Sequence, residues 1–429
     1  MKLRLLHPIT WLALAVLALV LWKGPQWSAP SVPEASSASP APTDAATVER
    51  GQYLARIGNC AFCHTARGGA PFAGGRAIDT PFGAVVTSNI TSDPHEGIGQ
   101  WSPAEFWRAM HHGVSRDGRL LYPAFPYTSY THLTRQDTDA LWAYLQTVPA
   151  SANAPADHAL PWPYSTQAAL WGWRMLNFKA VDGPGTDASV PPKVDAVAWS
   201  RGAYLTQGLG HCFECHSSRN GMGAVVDKGQ GSVLPGSRWY APSLRDRMEG
   251  SVADWSEAEV VEFLTRGTTA KAVASGPMAE VVLHGTQYLS PADARAMASY
   301  LRTLPAITSP PVAALQPQDI TNLLKEGGKL YEQHCADCHG SKGEGVVGVY
   351  PALAGNRAVN MANTHNLGHA VLRGGFAPAT SGNPRPYGMP PFIMALSDSD
   401  IAAVLSYVRH EWGNTGGLVT EFDITQIRR

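Results

Sequence analysis

The apolar pattern of the chain takes two forms. Near the start, Lys2, Arg4 and His7 precede "ITWLALAVLALVLW", an uncharged run closed by Lys23. Counted from Leu5 to Trp22 the stretch holds 18 residues, on the border between a signal h-region and a short spanning helix. The basic end stays in the cytoplasm and the rest is exported. No Ala-x-Ala site follows closely, so the run reads as an uncleaved anchor, with a cleaved leader as the alternative. "SAPSVPEASSASPAPTDAAT" then reads as a Pro/Ala/Ser tether that cannot bury a core.

The second form recurs three times. "VERGQYLARIGN", "SRGAYLTQGLGH" and "LKEGGKLYEQH" read as short helices, each with a basic residue, a glycine and an aromatic or leucine. Each is answered downstream by a second helix: "DTDALWAYLQTVP", "ADARAMASYLRTLP" and "DSDIAAVLSYVRHEW". Tyr144, Tyr300 and Tyr407 hold the same place in all three. Asp or Ser caps the starts, and Pro149 and Pro305 follow two of the ends. This is an internal repeat. Gly51, Gly202 and Gly327 sit nine, ten and eight residues before their first cysteine, where a glycine lets a crossing helix come close.

Cysteine usage sharpens the picture. All six cysteines fall in Cys-x-x-Cys pairs, Cys60/Cys63, Cys212/Cys215 and Cys335/Cys338, and each pair is followed at once by a histidine: His64, His216, His339. Cys-x-x-Cys-His is the signature of covalent c-type haem attachment. The thiols add to the haem vinyl groups and the adjacent histidine becomes the proximal iron ligand. A zinc site needs four protein ligands, and no second cysteine pair serves any copy. A thioredoxin-like motif needs a βαβ context, which is absent. The pattern therefore implies three covalent haem c groups.

Each repeat resembles a class I cytochrome c domain, and the tandem resembles the triple-haem cytochrome c subunits of membrane-bound dehydrogenases that oxidise alcohols, aldehydes, gluconate and related compounds in the bacterial periplasm. The likeness spans roughly residues 47–413. It is carried by "RGQYLARIGNCAFCHT", "GVSRDGRLLYPAFPYTSYTHLT", "LPWPYSTQAALWGWRMLNF", "RGAYLTQGLGHCFECHSSRNGMGA", "GPMAEVVLHGTQYLSPADARAMASYL" and "YGMPPFIMALSDSD". The implied fold is mainly α: a signal or anchor segment and tether over 1–46, cytochrome c domains over 47–150, 195–306 and 321–413, an aromatic-rich connector over 151–194, a linker over 307–320 and a tail over 414–429.

Class I haems take a methionine opposite the histidine, which raises the reduction potential. Met278 in "SGPMAEV" lies 62 residues after His216, and Met389 in "YGMPPF" lies 50 after His339. Both precede their closing helix and match the family's ligand positions. Met394, near by, reads as re-entering the core. In the first repeat the same count, 61 residues after His64, falls on Phe125 in "YPAFPY", where many family members resemble "YPAMPY". Phenylalanine cannot ligate iron. His132, Met110, His111, His112 or a five-coordinate iron are the alternatives. The resemblance associates the Phe form with partners like a molybdopterin aldehyde or N-heterocycle dehydrogenase.

In the connector, Trp162, Trp171, Trp173 and Phe178 are too apolar for a free linker. They read as a strap packed between the first two domains, or as a surface facing a membrane or quinone. Arg67, Arg76, Arg219 and Arg238 are candidates for pairing haem propionates. A net charge of −1 gives no footprint for nucleic acid. No Ser/His/Asp array, P-loop or dinucleotide fingerprint appears, so the chain has no catalytic residues for substrate oxidation.

These features together predict an electron-transfer subunit on the periplasmic side of the inner membrane. It would take electrons from a large molybdopterin, quinoprotein or flavin dehydrogenase, with or without a small subunit. It would pass them to ubiquinone, another cytochrome or the respiratory chain. The rival readings are a multihaem peroxidase-like enzyme using an open first haem, and the haem subunit of a terminal oxidase.

Overall fold

The computed structural model describes Ala18 and residues 43–181, 189–308 and 320–428. All of the expected anchor but Ala18, and most of its tether, lie outside these residues. Among the described residues no helix is long and apolar enough to cross a membrane. The chain divides into two compact units. One comprises Met1–Asp187, Gln207–His211 and Gly221–Ala224, and the other Ala188–Thr206, Cys212–Asn220 and Val225–Arg429.

In the first unit, α1 (Ala45–Ile57) starts at Asp44, whose carboxylate accepts from Thr47 N at 3.1 Å. Helix α2 (Pro103–His112) opens on a Ser102/Glu105 capping box and stops at Gly113, φ 60°. Helix α3 (Arg135–Leu145) is the expected closing helix, capped by Thr134. It crosses α1 at Gly51, where a Cβ would strike the Ala140 carbonyl oxygen and stand 2.7 Å from Tyr144 Cβ. Arg50 Nε donates to Asp137 at 2.7 Å across the same crossing. A hairpin, β1 (Ala77–Thr80) against β2 (Gly83–Val86), lies between the haem motif and α2.

The connector contributes helix α4 (Gln167–Asn177), capped by Thr166. Leu170 joins Val114 and Leu120 in a small core, and the Gln167 side chain both accepts from Leu120 N and donates to Leu120 O. Arg174, buried, donates to the His112 carbonyl and lies over the Phe178 ring. The connector helix thus docks on the first repeat. Trp162, however, is 82% exposed, and Met175 and Leu176 also face out.

The second unit holds the other two crossing pairs. Helix α5 (Ala196–Tyr204) crosses α8 (Pro291–Leu301) at Gly202, where a Cβ would run into the Ala296 carbonyl. Arg201 and Asp293 form a bidentate pair at 2.8 Å, in the place of Arg50 and Asp137. Between them come the short antiparallel strands β3 (Ser232–Val233) and β4 (Tyr240–Ala241), then α6 (Glu257–Arg266) and α7 (Gly276–His284). Helix α9 (Ile320–His334) crosses α11 (Asp398–Val408) at Gly327, against Ala403 and Tyr407. Glu326 replaces the arginine here, and Asp400 turns back to cap Ser397 N at 3.0 Å. The shared crossing geometry therefore rests on the glycine, not on the ion pair.

Helix α10 (His365–Arg373) completes this half, followed by β5 (Gly375–Phe376) paired with β6 (Gly388–Met389). The residues read as a tail form α12 (Glu421–Arg428), with Ile424 and Ile427 buried in the same core as Leu372 and Ile401. Met394 corrects an expectation: it is 94% exposed. The backbone of Phe392 and Ile393 bonds to Val371 O and Leu372 O, their side chains pack on the core, and the turn then points Met394 outward.

Candidate haem attachment sites

Each Cys-x-x-Cys-His motif folds as one tight turn: Cys60–Cys63, Cys212–Glu214 and Ala336–His339. His64 N, His216 N and His339 N return to the carbonyl of the first cysteine, Cys60, Cys212 and Cys335, at 2.9–3.0 Å. That bond closes each motif on itself, with the histidine one turn beyond the first cysteine. All six cysteines are half-buried and none forms a disulfide.

The second motif departs from the equivalence that the three identical spacings suggest. Cys63 and Cys338 lie inside α-helical turns, whereas Cys215 falls just past a tighter 3₁₀ turn that closes at Glu214. Cys215 N still donates to Cys212 O, at 3.3 Å, as Cys338 N does to Cys335 O at 3.2 Å. The i-to-i+3 bond therefore keeps Cys215 beside Cys212 although the helix has ended.

The histidines share a further feature. His64 Nδ1 lies 2.7 Å from Ser88 O, His216 Nδ1 2.7 Å from Pro242 O, and His339 Nδ1 3.0 Å from Pro351 O. A carbonyl only accepts, so Nδ1 carries the hydrogen and Nε2 is the nitrogen left for a metal. Burial holds all three imidazoles below the ordinary histidine range, outweighing the carbonyl bond that acts the other way. The rings are therefore neutral, as a ligating imidazole must be.

The sulfur chemistry points the same way. Burial, reinforced by the neighbouring cysteine, pushes the Cys60 and Cys212 thiols up to about 12 and Cys335 up to about 11. Such sites disfavour a thiolate, which zinc would require, and accept a neutral thioether without penalty. Nor do three His, Cys, Asp or Glu side chains converge on one point among the described residues. The donor sets fit a covalently held haem.

Arg76 and Arg219 pack on the motifs themselves. Arg76 donates to Phe62 O at 3.1 Å with its guanidinium 3.8 Å from the Phe62 ring centroid, and Arg219 donates to Glu214 O. Both acceptors occupy the second position between the cysteines. Arg238 donates to Gln426 O at 2.8 Å, while Arg67 is exposed.

Met278 lies in the first turn of α7 and Met389 in strand β6; both are half-buried. In the first repeat Phe125 packs edge-on to Tyr130, with centroids 5.4 Å apart. His111 is buried, stacked on Trp107 at 4.3 Å, with Nε2 3.2 Å from Leu133 O. Met110 and His132 are buried as well, and His112 stands edge-on to Trp107.

The carbonyl acceptors of the three histidines escaped the sequence reading. Pro242 in "WYAPSL" and Pro351 in "VYPAL" offered a signal, whereas Ser88 in "VVTSNI" offered none.

Crossing helices that enclose Cys-x-x-Cys-His turns with anchored imidazoles define a c-type cytochrome, and the cytochrome c family profile matches residues 48–149 and 324–412. Over 90% of its length the chain is 36% identical to the cytochrome c subunit of alcohol dehydrogenase (quinone) from Gluconobacter oxydans, covering 83% of that protein. It is 35% identical to the gluconate 2-dehydrogenase cytochrome c subunit of Pantoea cypripedii, covering 90% of each chain. It is also 41% identical to a nicotinate dehydrogenase subunit of Pseudomonas putida, over 86% of this chain and 30% of that protein. The chain belongs to the family of dehydrogenase cytochrome c subunits.

Proposed function

We propose that this protein is the electron-transfer subunit of a periplasmic dehydrogenase complex, with three covalent haem c groups. It would carry electrons from a catalytic partner to ubiquinone or to another cytochrome of the respiratory chain. The bound haems supply the one-electron redox chemistry. The pairs Cys60/Cys63, Cys212/Cys215 and Cys335/Cys338 hold them, and His64, His216 and His339 present Nε2 as the proximal ligand. Met278 and Met389 would supply a thioether to the iron of the second and third haems, a ligand that favours the reduced state. The observation that carries this reading is the imidazole-to-carbonyl bond repeated at all three motifs.

Its relatives, cytochrome c subunits of an alcohol dehydrogenase (quinone) and a gluconate 2-dehydrogenase, support a dehydrogenase partner. The likeness to the nicotinate dehydrogenase chain, together with Phe125, favours a molybdopterin partner acting on an aldehyde or N-heterocycle. The residue 5–22 run would tether the complex to the inner membrane. Purification of the native complex from membranes tests the proposal. A large dehydrogenase subunit whose substrate reduces three haems per chain is the expected result. Peroxide turnover by the isolated chain, or co-purification with an oxidase core, would reject it.

A further inference from the structure

Within the second unit, Trp239 and His369 stack face to face, centroids 4.7 Å apart and planes 13° from parallel. Trp239 ends the loop before strand β4, and His369 lies on α10. Backbone-directed bonds pin the two elements together: the Asn366 side chain accepts from Tyr240 N at 2.9 Å and donates to Tyr240 O at 2.8 Å.

The stack borders a cavity of about 430 Å³ whose wall includes Arg238, Arg373 and Ile427. Among the described residues no carboxylate lines it. Arg238 spends one nitrogen on the Gln426 carbonyl, and Arg373 makes no hydrogen bond or ion pair among the described residues. His369 is 2% exposed, and neither of its ring nitrogens meets a hydrogen-bond partner. The carbonyls of Ser237 and Arg238 stand near the ring but outside hydrogen-bond geometry. A buried polar group left in this state is costly, so it calls for an explanation.

We propose that this cavity binds a small oxyanion, a carboxylate or phosphate, clamped by Arg373 and Arg238 with a His369 ring N–H as the buried donor. Guanidinium forks match oxyanion geometry, and the Trp239 indole and Ile427 supply an apolar wall that excludes water from the contact. Burial and the nearby Arg373 charge push His369 down to about 4, so the ring is neutral and offers one N–H.

The oxyanion has two conceivable sources, a free anion or the propionate of one of the chain's own haems, and the experiment separates them. The holoprotein is titrated with inorganic phosphate at constant ionic strength by calorimetry, and its haems are titrated potentiometrically. Both are repeated for Arg373→Gln and Arg373→Lys; Arg373 is exposed, so the fold tolerates either change. Saturable phosphate binding that weakens tenfold or more in the Gln variant, and less in the Lys variant, identifies a free anion. No phosphate binding, but a shift in the midpoint potential of a single haem in the Gln variant, identifies a propionate. Phosphate binding indifferent to Arg373, or neither effect, overturns the proposal.

Discussion

Gly51 lies directly beneath the carbonyl oxygen of Ala140, so close that no side chain fits between α1 and α3. Gly202 meets Ala296, and Gly327 meets Ala403, in the same way. Alanine at any of these positions must push two helix backbones apart. Overpacking of this kind costs about 1–3 kcal/mol. Gly51→Ala, Gly202→Ala and Gly327→Ala should each lower the thermal midpoint of the holoprotein by circular dichroism. Gly172→Ala, with nothing within 4 Å, should not, because alanine favours a helix interior.

Haem stoichiometry reads out the motifs one at a time. Replacing Cys335 and Cys338 by alanine should lower the pyridine haemochrome content by one haem per chain. Replacing Cys212 and Cys215 should do the same for the second motif. Haem-dependent peroxidase staining of a denaturing gel should persist at reduced intensity. An unchanged haem content would show that the altered motif carries none.

The first haem should differ from the other two. Phe125 offers no sulfur, and His111 is held by Trp107 and Leu133 O. Two thioether-ligated haems are therefore expected by magnetic circular dichroism or paramagnetic NMR, and a third with another signature. Met278→Ala and Met389→Ala should each remove one thioether signal and lower one midpoint potential. Phe125→Met should add a thioether signal, provided the new side chain reaches the iron.

Acid should release α12 before the crossing helices. Burial acts to raise the Asp398 pKa, yet hydrogen bonds from Thr425, at 2.7 Å, and from Arg428 hold it below the usual aspartate value. The folded state thus favours the charged carboxylate. Its contribution is complete above the unfolded value near pH 4 and is lost as pH falls through the lower folded value. Hydrogen exchange over residues 421–428 should accelerate below about pH 4. Asp398→Asn should exchange faster at neutral pH and lose that acid dependence.

Much of this architecture was legible in advance because its causes are local. Ser102, Thr134, Asp195, Ser256, Ser290 and Ser397 cap helices with their own side chains, and each sits within three residues of the amide it satisfies. The glycines of the opening helices announced the crossings, since only a close approach rewards glycine inside a helix. Met394 misled because an apolar residue beside a core segment reads as part of it; one residue further along a turn reverses which way a side chain points.

The residues alone marked where haem attachment is proposed, because thioether formation and proximal ligation need two thiols and an imidazole at fixed spacing along the chain. They also determined that Phe125 breaks the methionine pattern, since a hydrocarbon ring has no lone pair to give. Tertiary structure alone decided which carbonyls orient His64, His216 and His339, for Ser88, Pro242 and Pro351 come into reach only when a loop closes over each imidazole. It likewise turned residues 421–428 into a core helix and set His369 against Trp239. Those contacts join residues distant in sequence, and their energies depend on burial, which no single stretch of chain possesses by itself.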